Sequence, residues 1–480
     1  MINTKLITIL RTFSKPEINK FRDFVKSPYF NTNPNVIRLS EAVLDFYPGF
    51  DSKDLTEEKI FKKVFKNQKF EYFKIKNIIS DLYQLSELFL KNISNDKDKL
   101  RNDINLLTEL HERKLNTFYI SKEKQISRQL ESLPVKDEFY LQSLHELARN
   151  NTSHFKFKKS GYTFNLIQNE FDIFLKYSLI VLMRHYSKML TNKNHGNIQF
   201  NMEMFDNIWE YIKDKDFEDS PSCRIYKQII SIELFRKEKD YRDLLELKEK
   251  FENNLSSEDI YYILLVANSY AAYRLKLGDE SFYKDRFSML RQMVDRKIQL
   301  PDYILFINFI STYTSACMVG EFQWAEDFLD LFRNGISPAD EMSNTVNYCK
   351  GFLAYRLKEY DKALHYFSRT NFKLFLTKVM VKSFTLRIFY EQDLHEQIFS
   401  AIDSFRHYLK SEKLISEEQK AAHYEFLKHV TELTRLKSEG IKNNKDINLT
   451  MLKREIKKMQ SNPLGAKNWL VEKSENFFNR

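Results

Sequence analysis

The stretch Asn344–Thr370, NTVNYCKGFLAYRLKEYDKALHYFSRT, decides how the rest of the chain is read. It reads as a helix, a tight turn and a second, antiparallel helix. Gly351 lies twelve positions before Ala363, Tyr360 three before it and Phe367 four after it. Glycine and alanine have almost no side chain, so two helices approach closely at those positions, and Tyr360 and Phe367 fill the space around the contact. Working outward, Phe322-Gln323-Trp324-Ala325 repeats the turn 38 residues earlier, with Gly320 just ahead of it. Tyr241-x-x-Leu244 is a weaker copy, and Ile260–Arg296 supplies a pair between the two. Asp393-Leu394 occupies the turn slot 34 residues after Glu359-Tyr360. The spacing predicts five helix pairs over 221–411, followed by a long helix opened by the box Ser416-x-x-Gln419 and by closing segments Ile447–Gln460 and Leu464–Phe478.

The skeleton of Gly351, Tyr360, Ala363 and Phe367 resembles the tetratricopeptide repeat (TPR), with Asn347 at the place of its consensus Trp and Phe375 at that of its closing Pro. The first and last segments, Ser27-Pro28-Tyr29-Phe30-Asn31 and Trp469-Leu470-Val471-Glu472-Lys473, are also similar to those of bacterial helical-repeat proteins to which no activity is assigned. The resemblance implies a TPR-like α-solenoid in which the first helix of each pair lines a concave groove, and a non-enzymatic scaffold or adaptor that holds a partner peptide or helix there. Carried over through Ala363, the groove positions are Thr345, Tyr348, Phe352, Tyr355 and Arg356, then Val379, Lys382, Leu386, Phe389 and Tyr390. Tyr348, Arg356, Lys382 and Tyr390 combine contact area with a polar tip, and are the residues expected to meet a protein or peptide partner. Of the Lys/Asn pattern by which some family members hold a terminal carboxylate, only Lys382 is in place, with Leu386 where the Asn would stand.

Composition agrees with an all-α chain. Its 480 residues contain only 9 Gly and 9 Pro, while 42% are apolar and 15% aromatic, which favours long helices with short loops and a substantial core over disorder. The excess of 76 basic over 66 acidic residues gives a net charge of +10, spread among interspersed charges of both signs on helical surfaces. Three widely separated cysteines, Cys223, Cys317 and Cys349, indicate neither a disulfide framework nor a zinc site. The opening MINTKLITILRTF has too short an apolar run, interrupted by Arg11, for a signal peptide, and no stretch is long enough to span a membrane. A cytoplasmic protein is expected.

Residues 1–95 read as an N-terminal helical domain, 96–219 as a connecting region of long helices, and 220–480 as the repeats and their cap. Ser14-Lys15-Pro16-Glu17 is a capping box, with Phe13 and Ile18 as a staple. A single amphipathic helix is predicted over 97–133, and a helix nearly apolar all round from Ile173 to Met183. A helix opened at Leu55-Thr56 and a long helix after the interruption at Asn67–Phe70, with Lys59, Lys62, Lys63, Lys66, Lys69, Lys74 and Lys76 around them, suggest a DNA-binding alternative: a transcriptional regulator whose repeats act as a sensor. This segment lacks Arg, Asn or Gln poised to read base edges. The linker at 149–164 interleaves Phe155 and Phe157 with lysines, a pattern compatible with single-stranded nucleic acid. No phosphate-cradling glycine loop, zinc motif or nucleophile elbow occurs, so no catalytic, cofactor or metal residue is expected. Asp403 and His407, one turn apart, read as a surface pair.

Overall fold

The computed structural model describes residues 3–154, 162–196, 199–218, 220–296, 303–412, 417–438, 445–460 and 462–477. The interleaved segment from Phe155 to Lys159 and the cap residue Ser416 lie outside them. The fold is all-α. Among the described residues the only strands are β1 (Ile304–Leu305) and β2 (Ile336–Ser337), a two-residue parallel pairing of Ile304 with Ile336 and Leu305 with Ser337.

The chain divides into two compact units, one of residues 1–133 and 142–173, the other of 134–141 and 174–480, so the stretch 96–219 is shared between them. The first contains α1 (Lys5–Leu10), α2 (Lys15–Lys26), α3 (Pro34–Leu44), α4 (Glu57–Val64), α5 (Tyr72–Lys97), α6 (Lys99–Glu112) and α7 (Asn116–Glu131). Its first helices are opened by side-chain caps. The Ser14 hydroxyl accepts from the Glu17 amide at 3.4 Å, while the Glu17 carboxylate accepts from the Ser14 amide at 2.8 Å, which completes the capping box. Phe13, Phe21 and Phe89 meet at ring separations of 5.3–5.6 Å and anchor the core. The single helix expected over 97–133 is two. Lys114 takes a left-handed backbone (φ 57°) and ends α6, because a residue there closes the last turn and reverses the chain.

α8 (Glu138–Ser153) and α9 (Tyr162–Gly196) have residues in both units, and α10 (Phe205–Ile212) belongs to the second. In the stretch of α9 expected to be buried all round, Leu179, Ile180 and Met183 are buried, but Phe174 is exposed. Five helix pairs follow: α11 (Pro221–Phe235) with α12 (Glu238–Phe251), α13 (Ser257–Lys276) with α14 (Phe282–Asp295), α15 (Phe306–Val319) with α16 (Phe322–Phe332), α17 (Met342–Arg356) with α18 (Tyr360–Phe367), and α19 (Phe375–Glu391) with α20 (His395–Ser411). One left-handed residue sits in the turn of each pair: Arg236, Gly278, Gly320, Lys358 and Asp393. At the α17–α18 contact, a β-carbon added to Gly351 would stand 2.8 Å from the Phe367 ring, so the glycine is required by close approach. Then come α21 (Glu417–Ser438), α22 (Lys445–Lys458) and, after the turn Pro463–Gly465, α23 (Ala466–Glu475).

Candidate functional site

The structure corrects the expectation that four groove residues present polar tips. Tyr348 is 0% and Tyr390 3% exposed. Tyr348 lies among the rings of Phe352, Phe367 and Phe372, and Tyr390 packs edge-on against Trp469 at 5.1 Å. Thr345, Phe352, Val379 and Leu386 are buried as well. Tyrosine is amphipathic, and here its ring decides the outcome. Arg356 is exposed at the end of α17. Lys382 is half-buried and turned toward α20, where its Nζ lies 3.1 Å from Ser404 Oγ and over the Tyr408 ring; burial lowers its pKa.

What the helix pairs bring together instead is a cationic and tyrosine-rich cluster. Arg387, on α19, is 4% exposed, and its guanidinium carbon lies 4.9, 5.6 and 5.8 Å from the ring centres of Phe384, Phe426 and Trp469. One terminal nitrogen donates to the Leu464 carbonyl at 2.8 Å, while Nε has no hydrogen-bond partner. Burial pulls its pKa down, against the hydroxyls of Tyr355, Tyr283 and Tyr348, which favour its charge. Arg286, on α14, donates to Asn268 Oδ1 at 3.3 Å and Ser311 Oγ at 2.5 Å, and burial lowers its pKa too. Burial and the Glu280 carboxylate raise the pKa of Tyr283, and Arg387, Arg286 and Arg356 pull it the other way.

This cluster is closed by the chain's own C-terminal turn. The Asn462 amide donates to the Lys276 carbonyl at 2.9 Å, its side-chain amide to the Leu275 carbonyl at 3.4 Å, and Asn468 Nδ2 to the Gly278 carbonyl at 3.1 Å. At the other side Trp469 Nε1 donates to Glu391 at 3.1 Å, and Lys473 pairs with the same carboxylate at 2.8 Å. Asn462 Oδ1 accepts from the amides of Lys467 and Asn468, which fixes the entry to α23. Gly278 (φ 97°) faces Asn468 Oδ1 at 3.3 Å from the place of a β-carbon, so a side chain there meets both a crowded and a left-handed position. None of Arg286, Arg387 and Asn462 stood out in the sequence. The one available signal was an arginine in the apolar run IFY of α19.

Elsewhere the expected chemistry is dispersed. Asp403 pairs with Arg406 at 3.6 Å. In the basic segment Lys59 pairs with Asp54 and Lys63 with Asp45 at 3.7 Å, whereas Lys74 donates to Gln68 and lies over the Phe65 ring. Burial raises the thiol pKa of Cys317 to about 12 and that of Cys349 well above its usual range, so neither is a thiolate nucleophile. Among the described residues one group of side chains has donors near enough to hold a metal ion: His429 on α21, 3.7 Å from Glu432, and Glu455 on α22. Lys428 already occupies Glu455 at 3.0 Å. Among the described residues no helix is long and apolar enough to cross a membrane. No family model, curated protein or solved structure matches this chain.

Proposed function

We propose that the chain is a non-enzymatic, cytoplasmic interaction protein, a TPR-like α-solenoid that holds a peptide or helix of a partner protein on the face shared by the first helices of its pairs. The observation that carries this reading is that the end of α13 and α19 already hold a polypeptide, the segment Asn462–Leu470. They do so with the contacts a bound peptide makes: backbone amide to carbonyl, side-chain amides to carbonyls, and a tryptophan anchor. Arg356, exposed beside this segment's partners, is the side chain of the original four best placed to reach an incoming ligand.

The test is affinity capture with the full chain. Replacing Arg356 and Lys382 with Ala should weaken retention of the partner about tenfold, with helicity unchanged. Trp469→Ala should loosen the resident segment and increase retention. If none of these substitutions changes what is captured, the face is not the binding surface. The alternative, a regulator that touches DNA through residues 59–76, rests on Lys62, Lys66 and Lys69, which are exposed and have no ion-pair partner among the described residues. A DNA affinity that falls steeply with salt and is lost on charge reversal of these lysines would replace the first reading with this one.

A further inference from the structure

We infer that the cluster of Arg286, Arg356, Arg387, Tyr283, Tyr348 and Tyr355 is a binding site for a small oxyanion, a carboxylate or phosphate group, beneath the turn Pro463–Gly465. The inference stands independently of whether a partner uses the same face.

The first ground is how this chain treats its other arginines. Arg184, 12% exposed in its side chain, pairs with Glu138 and Glu258. Arg224 pairs with Asp216 at 2.5 Å, Arg236 with Glu233 at 3.0 Å, and Arg274 with both Glu238 and Asp279 at 2.6 Å. A guanidinium taken from water needs compensation, and in those places a carboxylate gives it. Arg286 and Arg387 break the pattern: among the described residues neither has a carboxylate within ion-pair distance. Arg387 is held by neutral acceptors, the Leu464 carbonyl, the Tyr355 hydroxyl and ring faces, and Arg286 by an amide oxygen and a hydroxyl. Tyr283 feels three positive charges from three different helices, together with the carboxylate of Glu280.

The second ground is unspent hydrogen-bonding capacity in the same place. Arg387 Nε and the Tyr348 hydroxyl are buried and have no hydrogen-bond partner among the described residues. Both groups are donors, and Tyr348 and Arg387 are close enough to interact electrostatically. Buried donors are nearly always paired, and a negatively charged oxygen is the acceptor that also compensates the charge. The Tyr283 hydroxyl, 3.7 Å from where a β-carbon of Gly465 would stand, supplies a further donor from the turn side. Arg356, exposed, marks the side from which the ligand enters.

Titration calorimetry on the full chain at constant ionic strength, with inorganic phosphate in one arm and succinate in the other, tests the site. Saturable binding of phosphate, of succinate or of both is expected, and which arm binds identifies the source of the oxyanion. Arg286→Gln and Arg356→Gln should each weaken it about tenfold, the loss expected when one charged hydrogen-bond donor is removed. Arg356→Gln alters an exposed residue, so its circular dichroism and melting temperature should stay those of the parent, and it keeps the test decisive if Arg286→Gln does not fold. Failure of both anions to bind saturably, or binding that survives both substitutions, overturns the site. Loss or retention of partner capture bears on the separate proposal and does not enter this outcome.

Discussion

Helices α1–α5 and the later helix pairs bury different chemistry. Between Leu6 and Phe89 the buried side chains are aliphatic or phenylalanine, and Ser40 and Ser86 are the only buried polar residues. From Ser220 onward the core takes in Tyr226, Tyr241, Tyr270, Tyr313 and Tyr348 together with Asp259, Glu233, Arg387, His423 and His429. An apolar core needs only shape and volume, whereas each buried polar group needs a partner or costs stability. The array therefore carries more constraints than packing requires, and these are the places where a ligand, a switch or a specific neighbour has room to act.

The sharpest way to break this contrast is to attack packing in the array. Ala363 is fully buried against α17, so Ala363→Phe forces a ring into a closed contact and should cost about 3 kcal/mol. Denaturant unfolding showing no change would mean that the α17–α18 contact is not as described. Next is acid sensitivity. Burial holds His423 at a pKa of about 4, below its ordinary 6.5, so its neutral form belongs to the folded state. The unfolded chain binds the extra proton, and this contribution is present above pH 6.5 and is lost as pH falls toward 4, by at most about 3 kcal/mol. His423→Leu should flatten the dependence of stability on pH across that window; an unchanged slope would refute it.

A smaller effect is expected at the buried carboxylate. Asp259 accepts from the Tyr226 hydroxyl at 2.8 Å and from Ser222 at 3.3 Å. Tyr226→Phe removes one donor from a buried charge and should cost about 2 kcal/mol. A neutral result in thermal melts would show that water takes the hydroxyl's place. In the N-terminal unit the smallest effect comes from a surface cap: Ser14→Ala should cost about 1 kcal/mol, restored by Asp at the same position. Equal losses from Tyr226→Phe and Ser14→Ala would erase the distinction between the two regions.

The pairing of the helices was legible because small and aromatic residues recur at the same offsets. Gly351 and Phe367 meet as their spacing requires. The turns were only half legible. Gly278 and Gly320 announce a left-handed residue, whereas Arg236, Lys358 and Asp393 adopt the same conformation with ordinary side chains. Lys114 hides the break between α6 and α7 in the same way, since the apolar stripe continues across it. The site was hidden for a different reason. A tyrosine at a helical position reads the same whether its hydroxyl reaches water or a core, and the contact of Arg387 with Leu464 joins residues 77 positions apart. No local pattern encodes such a contact.

The bonds from the C-terminal turn to the end of α13 span 187 and 190 residues. During synthesis at about 5–20 residues per second, α13 leaves the ribosome roughly 10–40 seconds before Asn462 exists. For that interval the face carrying Arg286 and Tyr283 lacks its final cover, and it is open to chaperones, to nascent neighbours or to a ligand that arrives first. A chain truncated or stalled before Asn462 would keep every helix pair yet never complete this surface.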